Sequence, residues 1–189
     1  RFRFGENLRH AHRNILACRS PYFRALLTNN FLERTQIEPI ELTDISEETF
    51  VEILHFIYIG RFSSTISCDV AIQSMFYANK INMLSAKNAA IEAICRHLSV
   101  HNQEILSIYT LIKPFADTFD LLLDYIYDLC TEHFSEISRQ KQFIDLEKDA
   151  IIDLIGQIAQ RKELHEEKKR TAEQTHQIEP GDDSSDDGS

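Results

Sequence analysis

With 189 residues, 43% of them hydrophobic, the chain has apolar side chains enough for one domain or two small ones, and it reads as globular over most of its length. A formal net charge of −10 argues against a phosphate-binding surface of clustered Lys and Arg, although much of the acidity sits in the tail from Glu179 to Ser189. No uninterrupted apolar run reaches the ~18 residues of a membrane span, and no basic-then-apolar leader opens the chain, so an intracellular protein without nucleic-acid or membrane partners is expected.

Taken in order, Arg1-Phe2-Arg3-Phe4 alternates polar and apolar, Gly5-Glu6-Asn7 supplies a turn, and Leu8 to His12 resumes the alternation, which predicts a hairpin. The chain begins on Arg1 inside that strand and reads as part of a longer protein. Arg13 to Cys18 predicts a short helix with Ile15, Leu16 and Cys18 inward. Ser20 and Pro21 then fit the N-cap and first position of a second helix, where proline's missing N–H costs nothing, with Phe23, Leu26 and Leu27 on one side. Thr28-Asn29-Asn30 breaks it, Ile37 to Leu42 predicts a short strand, and Thr43-Asp44 a turn.

Ser46 as N-cap leaves Glu47 and Glu48 in the first turn of a further helix, where carboxylates complement the macrodipole. Phe50, Ile53, Leu54, Ile57 and Tyr58 follow as one apolar stripe, and Gly60 suits the left-handed closing position. Arg61 to Ser67 is expected to be an exposed connection with a short edge strand at Arg61-Phe62. Two helices follow, one capped by Ser67 or Asp69 and running through Val70, Ile72, Met75, Phe76 and Ala78, the other capped by Ser85 and running through Ala89, Ile91, Ile94, Cys95 and Leu98.

From His101 to Ile158 helical stripes continue without strand signals. Ile105, Ile108, Tyr109 and Ile112 mark one helix, stopped at Lys113-Pro114, and Phe119, Leu122, Leu123, Ile126, Tyr127 and Cys130 mark a second. Ile151, Ile152, Ile155 and Ile158 mark a third, which the charged run Gln160 to Thr171 extends into solvent. The stretch Glu179 to Asp187 has nothing to bury and is expected to be disordered.

Catalytic and cofactor motifs are missing. Five glycines form neither GxGxxG nor GxxxxGK[ST], and HExxH, GxSxG and DxDxDG are absent. His10 and His12, two apart on the expected strand, lack further ligand residues nearby for a metal. Cys18, Cys68, Cys95 and Cys130 form no CxxC pair and are expected to be buried free thiols. The carboxylates Asp44, Glu47, Glu48 and Glu52 lie where they support a helix, with no enclosed pocket for acid–base work. The expectation is therefore a non-enzymatic chain with no cofactor.

The residues His10-Ala11-His12-Arg13, Leu16-Ala17, Arg19-Ser20-Pro21-Tyr22-Phe23, Ile40-Glu41-Leu42, Asp44-Ile45, Phe50 and Phe56-Ile57-Tyr58-Ile59-Gly60 together resemble the BTB/POZ family in order and spacing. The resemblance implies an α+β fold, a small sheet with surrounding helices over residues 1–100 lacking the family's N-terminal helix, and makes His12 a packing residue beneath the first helix. Residues 101–160, with Phe134, Phe143, Leu146 and Leu154, resemble the all-α BACK region that follows many such domains, and 161–189 is expected to be a charged helix end and acidic tail.

In that family an apolar residue, any residue, then glutamate before the third strand is tied to docking on cullin-3. Phe31-Leu32-Glu33 stands at that place, with Asp44, Ile45, Phe56 and Tyr58 implied as the supporting surface. The resemblance also implies homodimerisation of the full-length protein, through a helix upstream together with Arg13, Asn14, Ala17 and Ser20. The function it implies is a substrate-receptor adaptor of a cullin-3 ubiquitin ligase, cytoplasmic or nuclear, whose ubiquitination substrate is captured by a domain outside this chain. The alternative is an oligomerising scaffold of a transcriptional or cytoskeletal protein that binds no cullin.

Overall fold

The alternating Phe and Arg at the start become strand β1 (Phe2–Phe4), which turns back into antiparallel β2 (Asn7–Arg9). Gly5 makes that turn at φ +56°, a left-handed backbone in which a side chain would be strained. β3 (Ile40–Glu41) lies parallel on the other side of β1, with Phe2 opposite Ile40, giving the order β2-β1-β3. The computed structural model describes residues 1–28 and 38–176, in two compact units, Arg1–His101 and the residues from Asn102 onward.

The hairpin is shorter than its alternation suggests. β2 stops at Arg9, so His10 and His12 share no strand face, and His12 is exposed at the start of the first helix instead of packed beneath it. The strand expected over Ile37 to Leu42 is confined to Ile40–Glu41 among the described residues, and Arg61-Phe62 forms no strand. Phe62 is buried instead, its ring 5.1 Å from that of Phe56.

In the first unit, helices α1 (Arg13–Arg19) and α2 (Pro21–Thr28) meet at Ser20, which is fully buried. Its N–H donates to Leu16 O at 3.0 Å and its hydroxyl accepts from Phe23 N at 3.4 Å, so one residue ends α1 and caps α2. Leu16, Phe23 and Leu27 are buried, whereas Cys18 points to solvent because so short a helix can bury only one narrow edge.

Helix α3 (Glu47–Ile59) has the expected ends. Ser46 Oγ accepts from Thr49 N at 3.2 Å, and Gly60 sits at φ +85° with its N–H on Phe56 O at 2.7 Å. Phe50, Ile53, Phe56 and Ile57 are buried and Leu54 and Tyr58 half-buried, so the inward face is turned toward Phe56 relative to the expected stripe. Replacing Ser46 with alanine is expected to cost about 1 kcal/mol. A urea midpoint unchanged from that of the parent would show that the cap contributes nothing.

Helices α4 (Cys68–Lys80) and α5 (Leu84–Leu98) pack together through small residues, Ala71, Ala78, Ala86 and Ala90 all being buried. Ser67 caps α4 by accepting from Val70 N at 3.3 Å. Ser85 does not cap α5, which already begins at Leu84 with Met83 before it.

The second unit is all helical among its described residues: α6 (Ile105–Ile112), α7 (Asp120–Glu132), the short α8 (Phe134–Ile137) and α9 (Lys141–Ile144), and α10 (Lys148–His176). The stripes of α6 and α7 are buried as expected. On α10 Leu154 and Ile158 are buried and Ile151 is half-buried, while Ile152 and Ile155 are exposed, so only part of the expected isoleucine stripe marks the packed face. Asp153, beside Leu154, is drawn in by Tyr109 and Tyr127. Arg161 ties α10 to α7 through Asp124 and Asp128, each at 2.8 Å.

The four cysteines are free thiols, but only Cys130 is buried; Cys68 and Cys95 are partly buried. Burial pushes the Cys95 thiol up to about 11 and that of Cys130 to about 12, so neither is a ready nucleophile. No described helix is long and apolar enough to cross a membrane.

Candidate docking surface

Phe31, Leu32 and Glu33 lie outside the described residues. Asp44 and Ile45 form the turn between β3 and α3, Asp44 exposed and Ile45 half-buried. Phe56 belongs to the core, and Tyr58 is half-buried with its hydroxyl accepting the His12 N–H at 2.7 Å and lying 2.9 Å from His12 Nδ1. Tyr58 therefore ties α3 to the start of α1.

Asp44 and Ile45 line a groove of about 580 Å³ together with Thr43, Ser46, Gln73, Phe76, Tyr77 and Lys80, whereas Phe56 and Tyr58 do not. The turn before α3 forms one wall and α4 the other. On α4 the lining residues are spaced i, i+3, i+4 and i+7, which places them on one helical face. That spacing is legible in the sequence and was the signal that could have added Gln73, Tyr77 and Lys80 to the candidate set.

The polar groups of the groove are unequally satisfied. Gln73 Oε1 accepts the hydroxyls of Ser46 at 3.1 Å and Thr49 at 2.8 Å. Lys80 forms an ion pair with Asp44, whose hydrogen bond raises the ammonium pKa; both side chains are exposed. Tyr77 is 4% exposed and its hydroxyl has no hydrogen-bond partner. Burial foremost, then the neighbouring Tyr22 and Asp44, push its pKa up, so it stays a neutral donor. Tyr22 acts on it both through its charge and through its nearby hydroxyl, but the two hydroxyls do not meet in a well-formed hydrogen bond.

Of the residues expected at a dimer interface, Arg13 and Asn14 are exposed and Ala17 partly so. Ser20 is the exception: enclosed and spent on the α1–α2 corner, it offers no surface to a partner. What the first unit presents is a shaped, partly apolar recess bordered by one ion pair, which suits a macromolecular partner.

A family model described as the BTB/POZ domain matches residues 2–98. The chain is 31% identical over 133 residues to TD and POZ domain-containing protein 3 of Mus musculus, covering 70% of this chain and 35% of that protein. It is 37% identical over 92 residues to TD and POZ domain-containing protein 5 of Mus musculus, covering 49% of this chain and 27% of the other. Kelch repeat and BTB domain-containing protein 8 of Homo sapiens is 26% identical over 145 residues, covering 76% of this chain and 23% of its own. The chain thus spans only 23% to 35% of the length of these relatives.

Proposed function

The chain belongs to the BTB/POZ family, whose domains are protein-interaction modules, and from that premise we propose that it is the adaptor part of a substrate receptor for a cullin-3 ubiquitin ligase. The observation that carries the reading is the groove beside Asp44 and Ile45, which lies where the family resemblance expects cullin contact. Phe31, Leu32 and Glu33 supply the principal contact, with Asp44 and Ile45 beside them. Phe56 contributes by holding α3 in place from within, and Tyr58 by anchoring α1.

The helical unit after Asn102 serves as a BACK-like extension. The reading also includes self-association of the parent protein, supported by the exposed Arg13 and Asn14 on α1, and capture of the ubiquitination substrate by a region beyond this chain. The ubiquitin chemistry belongs to recruited enzymes, and the chain works in the cytoplasm or nucleus.

Isothermal titration of the chain with the N-terminal region of cullin-3 tests this. Phe31→Ala and Glu33→Ala are each expected to weaken binding by about 2 kcal/mol, as for an interface hot spot, or roughly 30-fold. Parent-like affinity in both variants would remove the docking motif from the reading. A chain that self-associates but gives no heat with cullin-3 would favour the oligomerising scaffold instead.

A further inference from the structure

Among the described residues that line the groove, Tyr77 alone has a polar atom that is both buried and unpartnered. An unmade hydrogen bond of this kind destabilises a fold, and phenylalanine would fill the same space without the loss. The hydroxyls of Ser46 and Thr49 are satisfied by Gln73 Oε1, and Lys80 is neutralised by Asp44.

We infer that the Tyr77 hydroxyl is a specificity contact, held for a neutral oxygen acceptor that a bound partner brings into the groove. The inference rests on the adaptor reading and deepens it by stating what the partner must carry at this point. A main-chain carbonyl or a side-chain amide oxygen fits. In the free chain the hydroxyl is sealed from water, so the partner reaches it only as a rim side chain moves. Asp44 and Lys80 are suited to that movement, since an exposed ion pair costs little to open. A partner unable to make the bond would leave the donor buried and unpaired, and discrimination against it follows from that penalty.

Tyr77→Phe in the full chain, measured for thermal stability and by titration with the cullin-3 N-terminal region, tests this. The variant is expected to melt higher, by roughly 2–4 °C. It is also expected to bind about tenfold more weakly. A variant that binds as tightly as the parent would overturn the inference while leaving the adaptor reading intact. A lowered melting temperature would also overturn it, because the hydroxyl would then have a partner in the free chain. If the parent itself does not bind cullin-3, the adaptor reading fails and takes the inference with it.

Discussion

Phe50→Ala is expected to destabilise the first unit by about 3–5 kcal/mol, enough to populate its unfolded state under ordinary conditions. The Phe50 ring is fully buried, 4.8 Å from the ring of Phe2, 5.1 Å from that of Phe4 and 6.4 Å from that of Phe23. It thus joins the hairpin, α2 and α3 in one aromatic cluster, and truncation removes apolar contact with all three elements while leaving a cavity that rigid neighbours cannot fill. Amide exchange would read the result directly: protection in β1 and α3 should fall together. If only the residues adjacent to position 50 lose protection, the cluster is not the shared nucleus of the unit.

Why some of this was readable in the sequence and some was not follows from how each element is specified. The extent of α3 is specified locally: Ser46 stops the backbone, Gly60 releases it, and the apolar period between them marks a helix. The hairpin is specified by Gly5, but alternation through His12 carries no information about how far its second strand stays paired. On α10 helical spacing alone fits a face centred on Ile152 and Ile155 as well as the one centred on Leu154 and Ile158 that is buried. The choice is made from outside the helix, by Tyr109 and Tyr127, whose hydroxyls need Asp153 on the inner side.

The groove shows the same limit. Tyr77 reads as one more apolar residue of α4, and only the packed structure reveals that its ring is buried while its hydroxyl is left without a partner. Phe56 was misjudged for the complementary reason. Its place in the family pattern pointed outward, yet Phe62, which lies beyond the helix, completes the pocket that encloses it. Local capping and periodicity identify elements; which face of an element meets a partner depends on residues distant in the chain.

The second large effect is expected at Asp153. Its Oδ2 atom receives Lys113 Nζ at 2.6 Å, the Tyr127 hydroxyl at 2.6 Å and the Tyr109 hydroxyl at 3.0 Å, joining α6, α7 and α10 at one oxygen. Burial alone would raise the pKa of this carboxyl, but the hydrogen bonds from Lys113, Tyr127 and Tyr109 outweigh it and hold the group below its ordinary value. For Lys113 burial works downward, and Asp153 with Tyr127 outweighs it, so its pKa is raised. Both partners are shifted toward the charged form, the direction of a net favourable pair.

A carboxyl with a depressed folded-state pKa contributes stability that is fully present above its unfolded value, ~3.9, and is lost as pH falls through the folded value. Asp153→Asn is therefore expected to lower the stability of the second unit at neutral pH by about 2–3 kcal/mol, less than a fully enclosed pair because both side chains keep some solvent contact. Urea unfolding at pH 7 and again at a pH low enough to protonate the parent's carboxylate measures the difference between parent and variant. The gap should shrink on acidification, because the protonated aspartic acid and the asparagine are then both neutral. An equal gap at the two pH values would mean that shape, not charge, makes Asp153 hold the three helices together.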